Sequence, residues 1–462
     1  MKYSDLKYLA VELPEAVMKE KWSGNFDGAR KIIGGLLSSE GISYPLRARL
    51  ELELNNLAYI ESRYTVSERE ALEIMKKRIP GMTAEDLEKL LLEDKADWMY
   101  VNGEIKFIDC FDQTLYKVYP EIWQNTECGD RSDYSVIQRV VNGVRQEDGS
   151  DCQIKMKAHI HIRHDFALKP EAVEKGKRLH VHLPLPIERG SIKNLKIIKI
   201  SPAYLRLPEK DDMQPTVYFE TEADYKQVFS VEYEFDNELD YINLSTVNLD
   251  EIASSEIPEK EKEYLKEEYP HIRFTPYLKA LAEELAADET NPLSVARKFY
   301  DFITTETDYR FVRDYCSIDN IPEYCALNRR GDCGVQALLF ITLCRIAGIP
   351  AVWQSGIDAK PGDVGEHDWA RFYVPSVGWV YADLSYGGSS YIRGAVDRWN
   401  FFFGNVDPYR VPINDGFQKD LEPLKMHMRI DPYDNQCGEA EYDDRGITAE
   451  EIEYQYTEIN II

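Results

Sequence analysis

The stretch RRGDCGVQALLF, Arg329 to Phe340, sets one of the chain's eight cysteines between a Gly-Asp turn and an apolar-periodic run. Asp332 is placed to cap a helix, which leaves Cys333 in the first helical turn. Amides without intrahelical partners and the positive end of the helix dipole favour a thiolate there, lowering a thiol pKa of about 8.5 toward neutrality. Gly331 and Gly334 flank the thiol without side chains, so a substrate carbonyl can approach and the Cys333 N–H can serve as an oxyanion donor. The same glycines also suit a tight turn before a buried helix, and only a nearby base decides between the two readings.

A base is offered downstream, in GEHDWARFYVPSVGWVYADLSYGG. His367 opens an alternating run, Pro-Ser-Val-Gly turns the chain, and the returning run ends at Asp383. Such a hairpin brings an imidazole and a carboxylate together. His367 would deprotonate the thiol and later protonate a leaving amine, while Asp383 orients the ring. Strand parity constrains the idea. A two-residue turn at Ser376 and Val377 would pair Pro375 with Gly378 and send His367 and Asp383 to opposite faces. A three- or five-residue loop, or a bulge, is therefore required.

The elements that must hold these groups follow from periodicity. After Cys333, the positions Val335, Leu338, Leu339, Thr342, Leu343 and Ile346 share one helical face, and Gly348 with Pro350 ends the helix. Residues 1–128 read as a helical domain, with apolar residues at i, i+3, i+4 through Ala29 to Leu37, Leu46 to Ala58 and Ala71 to Ile79. An Asn-Gly turn between two short strands is expected at 98–107. Over 129–265 the period falls to two, in KAHIHIRHDF, RLHVHLPLPI, LKIIKISPAYLRL, TVYFET and VFSVEYEF, the pattern of an antiparallel, sandwich-like β domain. The charged, proline-bounded EIPEKEKEYLKEEYP reads as a linker or exposed helix. Residues 266–415 mix both periods and carry the chemistry. Residues 416–462 form an acidic C-terminal extension in which EIEYQYTEI can add a strand to a sheet.

Charge narrows the partners. Among 462 residues, 82 acidic against 55 basic side chains give a formal net charge of -27, which repels phosphate backbones and anionic lipid headgroups. Nucleic acid and membranes are not expected partners. The N-terminal stretch lacks a signal-peptide core and no apolar run approaches a bilayer span, so a cytoplasmic location with reduced thiols is expected. No nucleotide-binding glycine motif appears, so no cofactor is indicated. His159 with His161 and His180 with His182 share strand faces and could meet if their strands paired. Without carboxylate or thiol at matching spacing, no metal is assigned to them. Cys344 reads as core, and Cys316 with Cys325 as thiols that a reducing compartment keeps apart.

Taken as a set, GDCGVQALLFITLCRIAGIPAVW, EHDWARFYV and GWVYADLSYGG resemble the core of the transglutaminase-like superfamily over about residues 290–390. The Gly-x-Cys context, the His-x-Trp element and the Asp-x-Ser/Thr element carry the likeness. RWNFFFGNVDPYRVPINDGFQ and RIDPYDNQCGEAEYDD look like the continuation in multidomain bacterial members. The resemblance implies an α+β, papain-like core behind the helical and β domains, with Cys333, His367 and Asp383 as a catalytic triad. Leu384 stands where the family often has proline. A second oxyanion donor is implied too, with Tyr309, Tyr315 and Tyr324 as candidates. Trp369 is open to two readings, a wall of the thiol pocket or a core-facing strand aromatic. The implied activity is thiol acyl transfer on a carboxamide or peptide bond of a protein or peptide substrate. Peptidase or amidase chemistry is favoured over crosslinking, since no DxDxDG loop supports calcium regulation. The alternatives are a non-catalytic scaffold on the same fold and an arylamine N-acetyltransferase-like enzyme. No motif fixes the oligomeric state.

Overall fold

The computed structural model describes residues 3–119, 135–138 and 154–462. The expected boundary at 128/129 and the start of the β domain lie outside the described residues. N-terminal helices start where side chains can cap them: Asn25, Ser43, Ser67 and Thr83 each accept an amide of the first turn. Ser67 with Glu70, and Thr83 with Asp86, complete reciprocal capping boxes. Ile33, Leu50, Leu57 and Met75 from the periodic runs close one apolar core together with Phe26 and Phe111. This unit is not all helical. Strands β1 (Val66–Ser67), β2 (Trp98–Val101) and β3 (Glu104–Phe107) form an antiparallel sheet in the order β1-β3-β2. The turn between β2 and β3 places Asn102 and Gly103 at φ 49° and 89°, which Asn-Gly tolerates.

The alternating runs become β4 (Lys155–Leu168), β5 (Arg178–Pro184), β6 (Ile192–Ser201), β7 (Thr216–Glu222) and β8 (Phe229–Asp240). In the core, β9 (Asp308–Tyr309) and β10 (Arg330–Gly331) make a short parallel pair. A five-stranded sheet of β11 (Ala351–Lys360), β12 (Asp363–Val374), β13 (Gly378–Ala382), β14 (Phe403–Gly404) and β15 (Arg410–Asn414) runs in the order β14-β13-β12-β11-β15. The tail contributes two strands, not one: β16 (Glu439–Tyr442) pairs with β5, and β17 (Ile452–Ile461) pairs with β4. They complete two facing sheets, β17-β4-β8-β6 and β16-β5-β7, whose shared interior also takes Ile357, Val411 and Ile413 from the five-stranded sheet.

Two expectations are corrected and one is narrowed. The helix Cys333–Ile346 is not amphipathic in use: every residue from Gly334 to Arg345 is buried, because helices Pro276–Ala286, Pro292–Glu306 and Ile321–Asn328 surround the side away from the sheet. The charged segment after residue 256 takes its second reading, a mostly exposed 3-10 helix at Glu259–Leu265, and is anchored to the core. Glu261 accepts a hydrogen bond from the Trp379 indole at 3.0 Å, and Arg345 donates to the Lys266 carbonyl at 2.7 Å. The four strand histidines do not converge, because β4 and β5 lie in different sheets. His159 and His161 sit against Asp236 and Glu232, whereas His180 and His182 sit against Tyr218 and Thr216. Among the described residues, no helix is long and apolar enough to cross a membrane.

Burial holds the imidazoles of His164, His182 and His271 down at about 3. His271 stays neutral in a defined tautomer: Nδ1 accepts from the Ile321 amide at 3.3 Å, so Nε2 donates to the Tyr433 hydroxyl at 2.6 Å. Unfolded imidazoles titrate near 6.5, so below that pH the unfolded chain binds protons that the native chain refuses. Stability should fall as pH drops from about 6.5 toward 3, by about 1.4 kcal/mol per pH unit for each histidine. Urea midpoints between pH 7 and 4 check this, and His271→Gln should remove one proton from the slope. An unchanged slope would mean that His271 is already charged in the native state.

Candidate active site

The thiol's position begins with the end of the preceding helix. Arg329 takes a left-handed conformation, φ 53°, after helix Ile321–Asn328, and β10 then leads to Asp332. Asp332 Oδ1 accepts the Val335 amide at 3.1 Å and a hydrogen bond from the Tyr315 hydroxyl, so Cys333 is the first residue of its helix. The flanking glycines admit protein atoms instead of leaving open space. A Cβ at Gly331 would collide with Val335, and one at Gly334 would collide with Tyr315, with Trp353 and, at 2.6 Å, with Asp368 Oδ2. Asp368 is also the thiol's partner: Cys333 Sγ lies 3.4 Å from its Oδ2. Burial pushes up the thiols of Cys316, Cys325, Cys344 and Cys437, and raises the half-buried Cys110 to about 11. Cys316 and Cys325 are free thiols.

The hairpin carrying the base turns in three residues. Val374 pairs with Gly378, leaving Pro375, Ser376 and Val377 as the loop, with φ 64° at Ser376 and 107° at Gly378. This is the even parity required above, and His367 Nε2 lies 2.8 Å from Asp383 Oδ2. Asp383 also caps the next helix, accepting the Tyr386 amide at 3.0 Å. Behind it lies Arg410, which the sequence reading missed. Its guanidinium donates to Asp383 Oδ2 through Nη2 at 3.1 Å and Nε at 3.3 Å, and to Asp358 Oδ1 at 2.6 Å, and it pairs with Asp407 at 3.1 Å. Burial alone would push the Asp383 carboxyl up, but His367 and Arg410 outweigh it and hold it well below the usual carboxylate range. An ionised Asp383 accepts from Nε2–H, which leaves Nδ1 as the basic nitrogen of His367. Burial lowers the His367 pKa, with Asp383 pulling the other way.

Cys333 and His367 line one cleft of about 620 Å³, with Tyr309, Tyr315, Trp353 and Asp368. The tail supplies another wall through Asp431, Tyr433, Asp434 and Gln436. Gln436 Nε2 lies 2.8 Å from the Gly356 carbonyl, 3.0 Å from the His367 carbonyl and 3.0 Å from Asp368 Oδ1, fastening the tail to β11 and β12. A second cavity of about 510 Å³ shares Tyr309, Glu366 and His367 with the first, and adds Gln336, Ser385 and Tyr386. Of the candidate tyrosines, Tyr309 and Tyr315 reach the cleft, whereas Tyr324 packs under Arg313. Trp369 is buried, donating to Gln354 Oε1 at 2.9 Å beside the His367 ring, which is the core-facing reading. Asp368 had a signal in the sequence, an acidic residue inside His-x-Trp. Arg410 and Gln436 had none.

Residues 279–384 match the family described as the Transglutaminase-like superfamily, so this core is transglutaminase-like. No curated protein matches the chain. One similar solved structure, from Cytophaga hutchinsonii and described as a candidate cysteine protease, shares 15% identity, covers 66% of this chain and 92% of its own, and has a TM-score of 0.43. Another, the periplasmic domain of TgpA from Pseudomonas aeruginosa, shares 15% identity, covers 53% of this chain and 93% of its own, and has a TM-score of 0.29.

Removing one partner from a buried charge network strands the others. Arg410→Met should therefore cost about 3–5 kcal/mol in urea denaturation. Arg410→Lys should recover only part of it, because one ammonium cannot reproduce the fork. A loss below about 1 kcal/mol would mean that water or rearrangement satisfies the carboxylates.

Proposed function

We propose that this chain is a thiol acyl-transfer enzyme that cleaves a carboxamide or peptide bond through Cys333, His367 and Asp383. The observation that carries the reading is the arrangement of the three. Cys333 starts a helix whose dipole favours its thiolate, His367 lines the same cleft, and the far nitrogen of that imidazole is held by an ionised Asp383. In the proposed reaction the Cys333 thiolate adds to the carbonyl carbon. The imidazolium of His367 then gives its proton to the departing amine, and a thioester remains. Water, or a second amine, takes the reverse path through His367 and frees the acid or the new amide.

Peptidase or amidase chemistry is the favoured form. The departing group must lie on the His367 side, and there the second cavity opens past the imidazole, with room for a side chain beyond the scissile bond. A protein or peptide substrate fits a cleft walled by core and tail together. The free thiols at Cys110, Cys316, Cys325, Cys344 and Cys437 suit a reducing compartment, in keeping with a cytoplasmic location.

Iodoacetamide at neutral pH should label Cys333 first, and His367→Ala should slow that labelling by at least about 10-fold as the thiolate loses its counter-ion. With peptide and glutamine-amide donors, Cys333→Ala should show no turnover above background, and His367→Ala should lose about 10²–10⁴-fold. Comparable labelling of several cysteines, with no turnover of either donor, would favour a scaffold on this fold.

A further inference from the structure

We propose that Asp368, as a neutral carboxylic acid, is the second oxyanion donor, its Oδ2 hydroxyl hydrogen-bonding the oxygen that turns negative when Cys333 adds to a carbonyl. The proposal rests on Cys333 being the nucleophile. Its first support is position. Asp368 Oδ2 lies 3.4 Å from Cys333 Sγ and over the Cα of Gly334, against the first helical turn, where backbone N–H groups have no intrahelical partner. An oxyanion on the carbon bonded to Sγ would therefore form within reach of this oxygen.

The second support is which oxygen carries the hydrogen. Gln436 Nε2, which can only donate, lies 3.0 Å from Oδ1, whereas Oδ2 faces Cys333 Sγ at 3.4 Å, which donates as a thiol and accepts as a thiolate, so Oδ2 is the oxygen that can hold a proton once the thiol is ionised. The third is the surroundings. The carboxyl is buried, 7% exposed, and faces Asp332, Asp431 and Glu366 as well as the thiol. Burial first, then the Asp332 and Asp431 charges, push it well above the usual carboxylate range, and its hydrogen bond with Cys333 only partly opposes them. An ionised Asp368 would work against the reaction, since it would disfavour the thiolate and repel the developing charge. A neutral one donates first to the thiolate and then to the oxyanion.

The step balances without another reagent. The thiolate lone pair forms the C–S bond, and the carbonyl π pair moves to oxygen, which accepts hydrogen bonds from Cys333 N–H and Asp368 Oδ2–H. The Asp368 proton stays on Asp368. When the oxygen pair returns to remake C=O, the C–N bond breaks and the amine nitrogen takes the proton of the His367 imidazolium.

Two reactions of the same thiol separate this role from a structural one. Acylation by p-nitrophenyl acetate passes through an oxyanion, and alkylation by iodoacetamide does not. Asp368→Ala should slow acylation about 10²–10³-fold while alkylation of Cys333 stays within a few-fold of wild type. Asp368→Asn, whose amide offers a donor in the same place, should remain within about 10-fold in acylation. Equal loss in the Asn and Ala variants overturns the proposal, because a neutral donor would then not be what matters. Parallel loss of acylation and alkylation also overturns it, in favour of a packing role. If wild type itself shows no acylation at Cys333, the nucleophile reading fails before this one is reached.

Discussion

A buried guanidinium must be neutralised where it sits, and the demand of Arg410 for carboxylates organises the core. Its partners come from three places: Asp358 on β11, Asp407 just before β15, and Asp383 at the end of β13. Lys360 joins from β11, its ammonium 2.5 Å from Asp358 Oδ2, and the Tyr386 hydroxyl donates to the same carboxylate. Sliding any of these strands by one residue would leave a buried charge unpaired, at a cost of several kcal/mol. Among these named groups, three carboxylates face two cations. His367 adjoins this network through Asp383, and burial with the Arg410 charge outweighs the pull of Asp383 and lowers the imidazole's pKa.

Two aspartates near one histidine are driven in opposite directions by what surrounds them. Asp383 has His367, Arg410 and a backbone amide, and stays ionised despite complete burial. Asp368, one residue beyond His367, is pushed well above the usual carboxylate range by burial and then by the Asp332 and Asp431 charges. Separated environments of this kind drive chemically identical side chains toward different protonation states. Alternation along β12 makes the division possible, since neighbouring residues on a strand point to different surroundings.

What could be read from the sequence was what is local. The cap at Asp332, the helix from Cys333, the Asn-Gly hairpin and the period-two runs depend on neighbours a few residues apart, and each formed where expected. Parity excluded a two-residue turn, and the loop of Pro375, Ser376 and Val377 is one of the alternatives it left open. Arg410 and Gln436 escaped because nothing near them in the chain marks them; their partners lie 27 and 68 residues away for Asp383 and Asp368. The enclosure of the Cys333 helix escaped for a related reason. Its apolar stripe was visible, but nothing local showed that Gln336 and Arg345, off that stripe, would be buried on the Gly331 and Ala351 carbonyls. The strand histidines failed because shared faces were legible and sheet partnership was not.

The tail strands have a temporal consequence. Lys169 and Glu450 meet across 281 residues of chain, where β17 lies along β4, and the wall built by Asp431 to Gln436 is laid just before it. Contacts of such separation form late, because the loop they close must first be ordered. On the ribosome, Cys333 and its helix emerge about a hundred residues ahead of the groups that fasten β11 to β12 and enclose the thiol. A chain still being translated thus carries Cys333 before it has a cleft, and the cleft waits for its last wall until Ile461 has taken its place beside Ile160.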